Sequence, residues 1–345
     1  MIIKATLSYI LPAIFSYFGY IFLLKQLRKK EIYDKPNQRS SHKSNIPIGG
    51  GIILSLTICI STLLLTIYNY LSLNEIKVEY LFLVLLILIL ATISWIDDLN
   101  KLSISIRLLV QCITVAGGLF CLTNEGNLFQ GIFPYYIDLI ITFIFWVWII
   151  NLTNFMDGID GITSMQGISN GIGVIIILLI SVFILKYLQF SQIDFLFYFI
   201  LFFIGSLTSF IFFNWSPAKL FLGDVGSIPI GFIFGWIFFE ISGLGLWQIS
   251  IIIPLYYLLD SGITLLKRII KREKVFSAHR THFYQIAAVK FNSHSYTVIT
   301  IFTLNIFLIF LSICSILFSN NTIIIICLAL FISFLILWYL GHSRK

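Results

Sequence analysis

Oxygen ligands and phosphate-binding bases recur in a few short stretches of this chain. In "NLTNFMDGIDGI" (151–162), Asn154, Asp157 and Asp160 stand three apart. On a helix that spacing forms a row along one face, and Gly158 and Gly161 are expected to keep that face open to a close ligand. "WIDDLNKLSISIR" (95–107) ends an apolar run on adjacent carboxylates, Asp97 and Asp98, with Lys101 and Arg107 just beyond. Neighbouring carboxylates repel and one pKa rises unless a cation compensates, and either a metal ion or those bases can do so. "FLGDVGS" (221–227) sets Asp224 among Gly223 and Gly226, where backbone N–H groups can approach an anion. "SAHRTHFYQ" (277–285) follows the basic run "KRIIKREK" and offers His279, Arg280 and His282. Two histidines without partner cysteines make a weak zinc case, whereas Arg and His suit phosphate. "RSSHKSNIPIGGG" (39–51) adds Lys43 and a triple glycine.

Taken singly, each stretch also reads as an ordinary charged helix end or turn. Together they have a direction. Every clustered acid is an oxygen ligand with no cysteine beside it, which points to a hard cation, Mg²⁺ or alternatively Mn²⁺, held by one or two carboxylates plus substrate phosphates. Carboxylates, a divalent metal and bases stabilise charge in phosphoryl transfer. The P-loop pattern is absent, which argues against an ATPase.

The elements that must carry these groups are membrane helices. Of 345 residues, 59% are apolar and 11% charged, with a mean hydropathy of +1.00. A soluble domain averages about a quarter charged residues, so this chain could not cover a surface in water. About 20 apolar residues span a bilayer as helix. Candidate spans lie near 3–24, 50–71, 80–96, 106–123, 133–151, 168–188, 195–213, 225–242, 247–266, 297–318 and 322–340. The expected fold is an all-α polytopic bundle of ten to eleven transmembrane helices forming one catalytic domain over 1–345. The alternating ten-residue pattern of a β-barrel is missing. The first span is too long for a signal peptide and lacks a cleavage site. The five cysteines lie in or beside apolar spans without metal-type spacing and read as small buried hydrophobes.

Of the 22 basic residues, all but Lys4, Lys77 and Lys186 fall on one side if eleven spans alternate. The positive-inside rule makes that side cytoplasmic, with the N-terminus outside and the C-terminus inside. The net charge of +7 then reflects membrane orientation and anionic lipid, not nucleic acid. Cytoplasmic loops near 25–49, 97–105, 152–167, 214–224 and 267–296 would hold all the polar clusters. A membrane enzyme acting on a phosphorylated substrate at that surface is the resulting expectation.

In order, "DDLNKLSISIR", "NLTNFMDGIDG", "FLGDVGS" and "HRTHFYQ" resemble the polyprenyl-phosphate N-acetylhexosamine-1-phosphate transferase superfamily, of the glycosyltransferase family 4 type, over roughly residues 36–285. The resemblance implies a bacterial inner-membrane enzyme that transfers a hexosamine 1-phosphate from a UDP-sugar to undecaprenyl phosphate and releases UMP. It implies Asn154 and Asp224 as Mg²⁺ ligands and Asp97 and Asp98 as the catalytic pair, with Asp98 the candidate to deprotonate the lipid phosphate. Lys43, Lys101 and Arg107 match basic positions near the phosphates. Asp157 and Asp160 would shape the nucleotide or metal site, and His279, Arg280 and His282 would grip the sugar diphosphate. "HRTH" departs from the triple-histidine run of the muramoyl-pentapeptide translocases. That turns the expectation towards the branch that starts O-antigen or capsule units, as a monomer or a homodimer. A transporter or flippase is the alternative. Its one support is Asp260, a carboxylate within a span, placed where it could pair with Lys267 or Arg268.

Overall fold

The computed structural model describes residues 1–34, 44–73, 77–122, 128–273 and 279–342. Within hydrocarbon every backbone N–H and C=O must be satisfied inside the segment, so long apolar runs become helices. Among the described residues nine helices are long and apolar enough to cross a membrane. They are α1 (Ile2–Lys29), α2 (Gly51–Leu73), α3 (Val78–Asn100), α5 (Tyr135–Met156), α6 (Ile162–Leu179, continued by a wider turn to Ile184), α7 (Phe190–Asn214), α8 (Asp224–Gly243), α12 (His294–Leu317) and α13 (Thr322–Gly341). The span expected at 106–123 is the shorter α4 (Ile104–Leu119).

The span expected at 247–266 is not one helix. It divides into α9 (Trp247–Ile252) and α10 (Leu255–Ile270) at Pro254, which has no N–H to continue the ladder. α10 is two-faced: Tyr256, Tyr257, Asp260, Ser261, Thr264 and Arg268 are buried, while Leu266, Ile269 and Ile270 are exposed. A further short helix, α11 (Phe283–Lys290), stands where the sequence led us to expect loop.

Several helices also run past their apolar runs. α3 continues through Asp97 and Asp98 to Asn100, and α5 through Asn154 to Met156, so these polar residues occupy last turns, not loops. Nothing breaks either helix earlier. α3 stops where Lys101 takes a left-handed conformation, φ 50°.

α8 is buried along its length and packs against α2, α3, α5 and α9. A helix apolar all round belongs inside the bundle. Gly231 and Gly235, one turn apart, let α5 approach: a Cβ on Gly231 would lie 2.6 Å from the backbone of Ile150. Such small-residue spacing is how membrane helices pack closely. At its start α8 meets α2, where a Cβ on Gly51 would lie 2.2 Å from the Gly226 backbone. The triple glycine is therefore a site of backbone approach: Gly49 and Gly50 N–H bond Phe221 O, and Gly51 N–H bonds Leu222 O.

Contacts sort the connections into two ends. At one end the 47–51 segment meets 221–222, Asp98 meets α8, Ala218 meets Asp160, and Tyr284 meets Phe155. At the other, Lys4 lies over the rings of Tyr68 and Tyr198, and Gln130 donates to Ser242 O.

Candidate functional site

Asp224 is the first residue of α8, reached through Gly223 at φ 78°. Its Oδ1 accepts from Asn154 Nδ2 at 2.7 Å, and its Oδ2 lies 3.6 Å from Arg107 Nη1. Asn154 Nδ2 also donates to Ser227 Oγ at 2.9 Å. Arg107 Nη1 bonds Asp97 Oδ2 at 3.0 Å, and Asp97 Oδ1 accepts from Leu102 N at 2.6 Å. Four helices, α3, α4, α5 and α8, thus bring Asp97, Asp98, Asn154, Asp224 and Arg107 into one constellation. Ser227 is a member that sequence reasoning missed, although it stands three residues after Asp224 on the same helical face.

Asp98, expected as one of the catalytic pair, also has a structural task. Its two oxygens accept from Asp224 N and Val225 N, each at 3.0 Å. It caps the start of α8 from another helix, satisfying N–H groups that have no intrahelical partner. These two bonds place the start of α8, and with it Asp224.

The expected row of Asn154, Asp157 and Asp160 does not form, because α5 stops at Met156. Asp157 is half-buried at the helix end. Burial, then the like charges of Asp224, Asp98 and Asp160, push its carboxyl up to about 8 against a hydrogen bond from Thr163. Nor do the glycines leave an open face. A Cβ on Gly158 would lie 2.2 Å from Tyr284 Oη, and one on Gly161 would lie 3.3 Å from the Trp215 ring.

Asp160 is buried and turned to other partners. Its Oδ2 accepts from Ala218 N at 3.2 Å and lies 3.3 Å from His294 Nδ1. Burial acts to raise its carboxyl, but the hydrogen bond and charge of His294, with bonds from Ala218 and Ser216, hold it below the usual value. It clamps the 157–161 and 215–223 turns to the start of α12. A carboxyl lowered in the folded state adds stability above its unfolded value of about 3.9. That stability is lost as pH falls through the folded value. Asp160→Asn is therefore expected to lower the thermal unfolding midpoint at pH 6, with the gap to wild type closing below about pH 4. A gap that held constant to pH 3 would contradict the clamp.

Lys101 and Arg280 are exposed. Lys43 lies outside the described residues. His282 is 2% exposed, with Nδ1 3.1 Å from Asp260 Oδ1, and its ring stacks 4.9 Å from that of His279. Burial, then the charges of His282 and Arg268, lower His279 to about 4. The expected pairing of Asp260 with Lys267 or Arg268 gives way to other contacts. Lys267 Nζ sits 4.6 Å over the Phe283 ring, Arg268 bonds Glu273 at 3.0 Å, and Asp260 faces the 282–284 segment. Tyr284 Oη donates to Phe155 O at 2.8 Å, which docks this segment on the end of α5 beside Asn154.

Among the described residues no three His, Cys, Asp or Glu side chains gather as a metal cage. The donors do fit a cation held in part by substrate. Asp97 and Asp98 are occupied by protein partners, while Asp224 has one oxygen in only a long contact and the Asn154 carboxamide beside it. One carboxylate plus substrate phosphates is a usual Mg²⁺ environment.

A family model described as glycosyl transferase family 4 matches residues 80–242, which run from α3 through α8 and include Asp97, Asp98, Asn154 and Asp224. Residues 80–242 are a family 4 glycosyl transferase domain. The chain is similar to a phospho-N-acetylmuramoyl-pentapeptide-transferase of Wolbachia sp. subsp. Drosophila simulans (strain wRi), 29% identical over 252 residues that cover 66% of this chain and 72% of the relative. It is similar to a probable undecaprenyl-phosphate N-acetylglucosaminyl 1-phosphate transferase of Bacillus subtilis (strain 168), 26% identical over 329 residues covering 89% and 82%. A phospho-N-acetylmuramoyl-pentapeptide-transferase of Streptococcus pyogenes is 29% identical over 284 residues, 76% of this chain and 79% of the relative. The likeness to the Bacillus protein thus continues well beyond the family 4 domain. The constellation around Asp224 is drawn from within that domain, and the His282 segment from the part that follows it.

Proposed function

We propose that this multi-pass membrane protein transfers an N-acetylated hexosamine 1-phosphate from a UDP-sugar to a polyprenyl phosphate such as undecaprenyl phosphate. UMP is released and a lipid-linked surface polysaccharide, an O-antigen or capsule unit, is begun. The observation that carries the reading is the Asp224, Asn154, Arg107 and Asp97 constellation at one end of the bundle, with an apolar cavity running along the bundle as far as Thr153, the residue before Asn154.

That cavity, of about 440 Å³, lies between α5, α8 and the broken α9–α10 pair. Ile149, Leu152, Phe234, Phe238, Pro254 and Leu258 are among its walls, and the break at Pro254 helps to shape it. Its polar end includes Thr153, which precedes Asn154, and Tyr257, whose hydroxyl is 3.4 Å from that of Thr163. An isoprenoid chain lodged there would present its phosphate beside Asn154 and Asp157.

In the proposed transfer an oxygen of the lipid phosphate bonds to the β-phosphorus of the UDP-sugar. The bond from that phosphorus to the bridging oxygen breaks, and UMP carries the electron pair away. The sugar C1–O bond stays intact, so anomeric configuration is kept. Asp224 and Asn154 would hold Mg²⁺, or Mn²⁺ in its place, and the bound ion supplies positive charge to the diphosphate oxygens. Arg107, aimed by Asp97, adds a second positive charge at the same place. Asp98 holds the start of α8, and with it Asp224, in position. A phosphate is already largely ionised at neutral pH, so little base catalysis is required. His279, Arg280 and His282 would meet the sugar diphosphate, and Lys43 and Lys101 the surrounding phosphates. The basic loops favour a cytoplasmic site in a bacterial inner membrane.

Two features favour an N-acetylhexosamine donor over a muramoyl-pentapeptide one: "HRTH" in place of three histidines, and the wider coverage by the Bacillus relative. The transporter alternative loses its support, because Asp260 is engaged by tyrosine, histidine and backbone donors. Detergent-purified protein given undecaprenyl phosphate, Mg²⁺ and a panel of UDP-sugars is expected to release UMP only when lipid and metal are both present. Release of UDP, or release indifferent to the lipid, would refute the reading.

A further inference from the structure

α10 holds a carboxylate shut off from solvent, Asp260, at 0% exposure. Buried charges need partners, and this one has them in quantity. Oδ2 accepts from the Tyr256 hydroxyl and from Tyr284 N, each at 3.0 Å. Oδ1 accepts from Phe283 N at 3.0 Å, lies 3.4 Å from Thr264 Oγ1, and lies 3.1 Å from His282 Nδ1. Phe283 and Tyr284 open α11, so Asp260 caps that helix from outside, as Asp98 does for α8. At every one of its other contacts Asp260 is the acceptor. The hydrogen between Asp260 and His282 therefore sits on Nδ1. The other ring nitrogen, Nε2, is buried and has no hydrogen-bond partner. Buried polar atoms are seldom left so without a reason.

We propose that Asp260 is a positioning residue: it fixes the proton of His282 on Nδ1 and so reserves Nε2 for an anionic oxygen of the bound diphosphate. This rests on the transfer reading above. When the diphosphate arrives, Nε2 takes a second proton from solvent. The imidazolium then lies between two anions, the Asp260 carboxylate on one side and the phosphate on the other. Which nitrogen of a histidine faces a ligand is set by the bond the other one makes, and here the structure shows that bond. His279, stacked on the His282 ring and bonded to Thr281 at 2.9 Å, is the cover the ligand displaces. The titratable and charged groups on this side are Asp260, against the ring, and Arg268 from α10, His279 and the exposed Arg280 from its own turn, and Asp157 from the turn after α5, which acts on the neighbouring Tyr284.

The test is nitrogen NMR of ¹⁵N-histidine-labelled protein in detergent, with the His282 signals assigned by their loss in His282→Gln. Wild type is expected to show Nδ1–H. Titration with a UDP-sugar is expected to move Nε2 to the protonated position. A neutral Nε2–H ring in wild type, or an Nε2 signal unmoved by a UDP-sugar that demonstrably binds or is turned over, would overturn the proposal. Asp260→Asn is expected to mix the two tautomers and raise KM for the UDP-sugar about tenfold, with little change in kcat. It should add no further rise in a His282→Gln background, whereas a purely structural cap would cost the same in both. Wild type that releases no UMP would refute the transfer reading, while the unliganded spectrum would still decide where His282 keeps its proton.

Discussion

Asp224→Asn is expected to lower UMP release by about 10³-fold or more, the scale of losing a principal source of charge stabilisation. The thermal unfolding midpoint is expected to stay at or above that of wild type. The substitution keeps the shape of a side chain whose oxygens meet Asn154 at 2.7 Å and Arg107 at 3.6 Å. It removes one negative charge from a neighbourhood that already holds Asp97 and Asp98, so like-charge repulsion falls. Opposite signs for activity and stability are what a functional carboxylate predicts, because such groups are placed where their charge is costly without the ligand. The check is a paired one: UMP release with undecaprenyl phosphate and Mg²⁺, and unfolding of the same preparation. Activity within tenfold of wild type would remove Asp224 from the metal site. A lowered midpoint with proportionate loss of activity would make it a structural residue.

Asp97, Asp98, Asn154 and Asp224 were legible as a group because polar residues in so apolar a chain are conspicuous, and a membrane fold forces them to one end. The same constraint made the long spans legible, since twenty apolar residues in lipid have little choice but helix. Hydropathy does not reveal where a helix stops when its last turn is polar. α3 and α5 continue through Asp98 and Asn154 because nothing in their backbones objects, and the apolar run ends before the helix does. Pro254 was visible, but whether a proline kinks a span or divides it depends on what packs against the freed backbone. Partner choice was less legible still. Three-residue spacing suggested a row for Asn154, Asp157 and Asp160, yet Asp160 is drawn away by His294, 134 positions later in the chain. Gly158 looked like space for a ligand and is space for Tyr284. Charge type and sequence spacing predict what a residue can do; which long-range neighbour engages it is decided by packing.

Asp98 separates the two kinds of role most sharply, and substituting it is the second large expected effect. Both oxygens accept from the first N–H groups of α8, and Gly223 just before them has no room for a side chain, since its Cβ would lie 2.7 Å from Asp98 Oδ2. Asp98→Ala removes both acceptors and leaves two N–H groups at a helix start without partners, at a cost of about 2–3 kcal/mol. Asp224 is the residue carrying one of those N–H groups, so its carboxylate shifts with the loosened turn and UMP release falls about 10²-fold, because small misplacements at a reacting centre are expensive. Asp98→Asn keeps one acceptor and turns an NH₂ towards the other N–H. It should recover part of the stability and part of the activity. Wild type, Asp98→Asn and Asp98→Ala are thus expected to descend in the same order in unfolding midpoint and in turnover. A catalytic base would behave otherwise: both variants would unfold like wild type, and asparagine, which cannot accept a proton at neutral pH, would be as inactive as alanine. Measuring the two quantities on the three proteins distinguishes an aspartate that holds the site from one that reacts in it.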